Sequence, residues 1–282
     1  MSRLALFLHA LLLAFVLCTP IDVMSAPPSD RTIIVAHSNT YPPFSFLDEQ
    51  GEPKGYLIDM WRTFGVVNNI NIQFKLVSWQ ETLELVERGE ADVHGGLFFN
   101  KDRDKFLDFG PAIMELATVI YLKKGTSYKD ATQYPMGVVK GGYAEHYMQN
   151  NRPAQPLILF AATTDTLRAA LEDKIVLFAS DQPTAIYYLR KYGIMNEFSS
   201  VETLYTNTLR IAVGEGEKEL LTTLIAGWNN IDEARKKSIF TKWFVPSDTK
   251  PDWFLPGSLA LVAVICVALI FRKIGMKRHG ID

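Results

Sequence analysis

Two stretches, Ala112–Leu122 (AIMELATVIYL) and Leu204–Val213 (LYTNTLRIAV), decide the architecture. Both are long runs of β-branched and aliphatic residues, which read as strands at the upper end of ordinary strand length. Before the first, Thr32–His37, Ile70–Val77 and Ala91–Phe98 read as shorter strands. They alternate with helices at Tyr56–Val67 and Trp79–Arg88. Leu57, Met60, Trp61, Phe64 and Val67 recur at helical spacing, and Gly89 stops the second helix. Between the long strands lie strands at Gly137–Val139, Leu157–Phe160 and Ile175–Ala179. Helices at Tyr143–Gln149, Thr163–Leu171 and Asp181–Tyr192 alternate with these. Two helices, Glu217–Ile231 and Glu233–Phe244, follow the second long strand. The order predicts an α/β protein in which a smaller lobe is inserted into a first and joined to it by a two-strand hinge. Lobe 1 spans about 31–114 and 208–250, lobe 2 about 115–207, and a ligand cleft lies between them.

Outside this body the chain changes character. Its 282 residues are 48% hydrophobic and 21% charged, which excludes disorder and a disulfide scaffold, and the apolar share is concentrated at the ends. Arg3 followed by the apolar Leu4–Leu17 predicts a signal peptide over 1–26, with small-residue cleavage sites between Val23 and Ala26. Phe254–Phe271 carries no charge and spans about 27 Å as a helix, enough for one transmembrane helix. Trp253 and Phe254 fall at its outer interface. Arg272, Lys273, Lys277 and Arg278 mark the 272–282 tail as cytoplasmic. The 27–250 domain is then held outside the inner membrane, in the periplasm of a Gram-negative cell. From 27 to 253 there are 24 Lys and Arg against 29 Asp and Glu, a net charge of −5 that argues against a nucleic-acid partner. Cys18 and Cys266 both lie in the terminal segments, so the body has no disulfide and no thiolate nucleophile. His9, His37, His94, His146 and His279 show no ligand spacing. Neither a metal nor another cofactor is expected.

Several short motifs then occur in order. They are Tyr41-Pro42-Pro43-Phe44 with Gly55-Tyr56-Leu57-Ile58-Asp59; Trp79 with Gly89-Glu90-Ala91-Asp92; Asn100-Lys101-Asp102-Arg103 followed by Asp108-Phe109; Gly137-Val138-Val139-Lys140-Gly141; and Asp181 with Ala185, Tyr187 and Tyr188. In this order the chain resembles the family 3 bacterial solute-binding proteins from about Arg31 to Phe244. The resemblance implies the two-lobed periplasmic-binding, or Venus flytrap, clamshell. Ala91–Phe98 is most similar to the membrane-anchored sensor versions of that family.

The resemblance implies a ligand site residue by residue. Arg103 matches the carboxylate-binding arginine, whose planar fork suits a carboxylate; a surface arginine paired with Asp102 or Asp104 is the alternative. Asp181 matches the acceptor of a ligand ammonium, and its place at a helix start also suits an N-cap. Tyr41 and Trp79 match rings that sandwich the ligand, although core packing would also account for Trp79. Gly141, Gly142 and Tyr143 open a helix whose free N–H groups suit an anion. Gly96, Phe98 and Asn100 fall on the strand and turn that contact the ligand. The chain departs from the family where Gly95, Gly96, Phe98, Asn100 and Tyr143 replace residues that are commonly hydroxylated. Phe98 and Tyr143 narrow the pocket or favour a ring.

These features imply a membrane-anchored binding or sensor protein for a small amino acid or related carboxylate, working with a membrane signalling or transport partner. The tail is too short for a catalytic output domain, so a sensor's output would lie on another polypeptide or have been lost from the gene. The receptor of an amino-acid importer is the second reading. An enzyme on the same fold, such as a cyclohexadienyl dehydratase, is the third and would need an acid in the cleft, with Glu145 or His146 nearest by sequence.

Overall fold

The computed structural model describes residues 31–245, so the signal peptide expected at 1–26, the transmembrane helix expected at 254–271 and the tail lie outside the described residues. Among the described residues no helix is long and apolar enough to cross a membrane. The chain opens with β1 (Thr32–Ser38), then β2 (Thr40–Tyr41), β3 (Ser45–Leu47) and β4 (Pro53–Lys54), followed by helix α1 (Tyr56–Asn68). Next come β5 (Asn71–Val77), α2 (Trp79–Glu87), β6 (Val93–Phe98) and the long β7 (Leu107–Lys123). The central unit holds β8 (Met136–Val139), α3 (Tyr143–Asn151), β9 (Leu157–Phe160), α4 (Thr163–Leu171), β10 (Leu177–Asp181) and α5 (Gln182–Lys191). The long β11 (Phe198–Gly214) returns to the first unit, and α6 (Lys218–Asn229) and α7 (Glu233–Phe244) close it.

The strands run in the order β5-β1-β6-β11-β7-β10-β8-β9. Hydrogen bonding is continuous across all eight, but only β7 and β11 carry it from one unit to the other. β6 pairs with β11 at Val93–Phe98, and β10 pairs with β7 from Thr118 to Leu122. The cores are separate. One packs Trp61, Phe64, Trp228 and Ile211 around α1 and α6. Others pack Phe178, Leu167 and Leu189, and Val138, Met136 and Leu177, on the two faces of the central unit. Two units with separate cores on one pair of shared strands make the clamshell.

Both hinge strands are longer than their apolar runs suggest. β7 begins at Leu107 and passes through Pro111. The β7–β11 register shifts between Arg210 and Ala212, opposite this proline, so Pro111 sits in a bulge where a missing N–H breaks no regular ladder. The small β2-β3-β4 sheet leaves no apolar alternation to find, since its strands are two or three residues long. Gly55 is required there. Its φ is 133°, and a Cβ would lie 2.1 Å from the Phe44 carbonyl oxygen. Asp59 then ties α7 to α1, accepting from Lys242 Nζ at 2.7 Å and Trp243 Nε1 at 2.8 Å.

Candidate ligand-binding cleft

The floor of the cleft is β6. A Cβ on Gly95 would lie 2.9 Å from Val35 and one on Gly96 3.0 Å from Leu57, so glycine here serves the packing of β6 against β1 and α1. After β6, Asn100 Oδ1 accepts the backbone N–H groups of Asp102 at 3.0 Å and Arg103 at 2.8 Å. These bonds shape the tight turn at Arg103–Lys105 and aim Arg103 inward. The Arg103 side chain donates from Nη1 to the Phe98 carbonyl at 2.6 Å and from Nη2 to the Gly141 carbonyl at 3.1 Å, touching both units. Its guanidinium lies 5.1 Å from the centre of the Trp79 ring. Arg103 is only 4% exposed, and burial lowers its pKa to about 10, which leaves it cationic at neutral pH. The surface pairing with Asp102 is not adopted; Asp102 takes Lys105 at 2.7 Å instead.

Asp181 closes the opposite wall. It ends β10 and stands at the N-cap position of α5, yet its side chain makes no cap bond. One carboxylate oxygen accepts the Tyr41 hydroxyl at 2.5 Å and the other accepts Thr118 Oγ1. Burial raises its pKa, and the two hydroxyl donors pull the other way. Thr118 on β7 is paired with Asp181 on one side and Tyr205 of β11 on the other, so three strands converge behind the carboxylate. Among the described residues neither Arg103 nor Asp181 has an ion-pair partner.

A cavity of about 100 Å³ separates these groups, room for several waters rather than one. Tyr41, Trp79, Gly96, Phe98, Gly142 and Tyr143 line it with Arg103 and Asp181. Asn100 and Gly141 stand behind the wall: Asn100 shapes the Arg103 turn, and the Gly141 N–H donates to Glu145 Oε2 at 2.6 Å. The Gly142 N–H donates to the Val139 carbonyl at 3.0 Å, so neither glycine N–H is open to an anion. Tyr41 stacks on Phe44 with centroids 4.7 Å apart, and one face of Trp79 carries Arg103. The buried Trp79 Nε1–H has no acceptor among the described residues. Glu145 and His146 do not border the cavity.

Sequence reasoning missed Ser38, Thr118, Thr163, Ser180 and Tyr205 in the lining. Thr118 had a signal, a lone hydroxyl within an apolar strand. Tyr205 had a weaker one, the only aromatic residue between Glu202 and Thr208. Strand parity points such residues to the cleft only once the pairing partner is known.

A polar layer backs the floor. His37 Nε2 donates to the Gly96 carbonyl at 2.9 Å, and its Nδ1 accepts the Ser38 N–H at 2.8 Å with the Ser45 hydroxyl alongside. Thr82 Oγ1 donates to the Trp79 carbonyl at 2.6 Å and so accepts from His94 Nε2 at 3.0 Å. Burial lowers the His37 pKa to about 4 and lowers that of His94 well below its ordinary value, so both are neutral imidazoles.

The model of the bacterial extracellular solute-binding proteins, family 3, matches residues 33–246. A probable histidine-binding protein of Neisseria gonorrhoeae is 23% identical over 226 residues, covering 74% of this chain and 82% of that protein. A histidine kinase sensor domain with similarity to periplasmic binding proteins superposes with a TM-score of 0.71 at 22% identity, covering 76% of this chain and 96% of that one. An ancestral arginine-binding protein bound to glutamine gives 0.70 at 23% identity, with coverages of 77% and 100%.

Proposed function

The chain belongs to the bacterial extracellular solute-binding proteins of family 3, and from that premise we propose that its cleft captures a small amino acid or related carboxylate. Arg103 holds the carboxylate and Asp181 the ammonium. One observation carries this reading: a buried cation and a half-buried carboxylate, neither ion-paired, line one cavity from the two units. A buried charge without a counter-charge is costly, and a zwitterion supplies both counter-charges at once. The similar proteins, by name a probable histidine binder and an ancestral arginine binder, support an amino-acid ligand.

The 27–250 domain acts outside the inner membrane, anchored by a span at 254–271. The likeness to a kinase sensor domain supports a sensing role, in which ligand-driven movement of the lobes is passed to a membrane partner. An importer receptor would use the same cleft; the anchor favours the sensor.

Calorimetry on the full chain in detergent tests the site. An amino acid should bind the wild type and bind Arg103→Ala at least tenfold more weakly, the loss of one charge-assisted contact. Equal affinity for the two proteins overturns the reading. A tag at the C-terminus should resist protease added from the periplasmic side; cleavage there overturns the anchor.

A further inference from the structure

The proposed clamp uses up every charge that the cavity offers. Arg103 and Asp181 are the two ionised side chains in its lining, and the rest of the wall is apolar, aromatic or hydroxylated. Glu145, close by in sequence, lies outside the lining and accepts the Gly141 N–H. The hydroxyls are mostly engaged too. Thr118 donates to Asp181, Thr166 to the Ala162 carbonyl at 3.3 Å, and Ser38 accepts the Thr40 N–H at 3.2 Å. A ligand side chain bearing its own charge would meet no counter-charge in this wall.

Three rings limit the size of what fits. Phe98 of β6, Tyr143 of α3 and Tyr205 of β11 close a triangle, with centroids 5.6 Å apart for Phe98 and Tyr143, 4.9 Å for Tyr143 and Tyr205, and 6.3 Å for Phe98 and Tyr205. All three pairs are edge-to-face, the favoured arrangement for aromatic rings. Tyr147 packs on Tyr205 from behind at 4.8 Å. Each ring therefore has both others as neighbours, and the three form one wall of a small cavity.

Building on the amino-acid reading above, we infer that the cleft is selective for an amino acid with a small uncharged side chain, and that the Phe98–Tyr143–Tyr205 triangle sets the size limit. Selectivity of this kind works by rejection: the wall leaves a charge unpaired and a large group without room.

The test is a calorimetric panel on the full chain in detergent, with alanine, serine, valine, leucine, phenylalanine, glutamate, lysine and arginine. Alanine, serine or valine should bind, and the three charged amino acids should bind roughly 100-fold more weakly or not at all. Tyr143→Ala should improve leucine and phenylalanine relative to alanine by about tenfold, and Tyr143→Leu reads the same effect if the alanine variant does not fold. A charged amino acid that binds as tightly as the small neutral ones, with sensitivity to Arg103→Ala retained, overturns the selectivity and leaves the clamp standing. Unchanged relative affinities in both Tyr143 variants overturn the size limit. If no member of the panel binds, the amino-acid reading fails and takes this inference with it.

Discussion

The two ends of the cleft bury opposite charges by opposite means. At the Arg103 end the charge is dispersed over neutral partners: two backbone carbonyls, one from each unit, and the face of Trp79. At the Asp181 end the carboxylate is gripped by two hydroxyls, Tyr41 and Thr118, from segments on either side of the cleft. The arginine end is mainly local, since the Asn100 turn and the Phe98 carbonyl lie within five residues of it. The aspartate end is wholly non-local. Each end has one bond across the cleft, Arg103 to the Gly141 carbonyl and Tyr41 to Asp181, and only the arginine end is otherwise held by its own neighbours in sequence.

Breaking the arginine end should have the largest effect. Arg103→Ala leaves a ligand carboxylate buried and unpaired and is expected to cost about 2–5 kcal/mol of binding, read by calorimetry. Arg103→Lys should recover only part of this, because a point charge cannot bridge the Phe98 and Gly141 carbonyls and also fork onto a carboxylate.

The polar layer behind the two ends sets acid stability. His37 has its pKa lowered from 6.5 to about 4 when folded. The unfolded chain thus takes up a proton at a higher pH than the folded one. Stability from this group is complete above pH 6.5 and is lost as pH falls toward 4, by about 3 kcal/mol. His94 is shifted in the same direction and adds to the loss. The cause is burial, which disfavours the charged imidazolium. Urea denaturation across that range checks this, and a flat profile would contradict it.

At the aspartate end, Asp181→Asn should cost a zwitterion about 1.5–3 kcal/mol and spare carboxylates that lack an amine. Comparing the two ligand types by calorimetry separates the ends. Because the Asp181 pKa is raised, binding of the zwitterion should begin to weaken on acidification at a higher pH than an ordinary carboxylate would dictate.

The smallest expected effect comes from removing one hydroxyl. Thr118→Val takes a donor from Asp181 and should raise its pKa further and weaken zwitterion binding by about 1 kcal/mol, while leaving the arginine end intact. Titration of Asp181 by NMR gives the direction independently of affinity. A lowered pKa in this variant would break the account of the aspartate end.

Much of this molecule follows from sequence alone, and the reason is range. Alternating strands and helices, the long runs of β7 and β11, and the turn that carries Arg103 all depend on neighbours a few residues away, which periodicity and motif order reveal. What needed the fold is whatever depends on pairing. The chain passes Pro111 as strand because of a bulge opposite β11, and the glycines of β6 answer to side chains on β1 and α1. Asp181 meets Tyr41 and Thr118 across 140 and 63 positions of sequence. Motif order marked Asp181 but left both its roles open, as cap or as ligand acceptor. Tertiary structure decided that its carboxylate faces the cavity, because the cost of burying a charge depends on which donors folding brings to it.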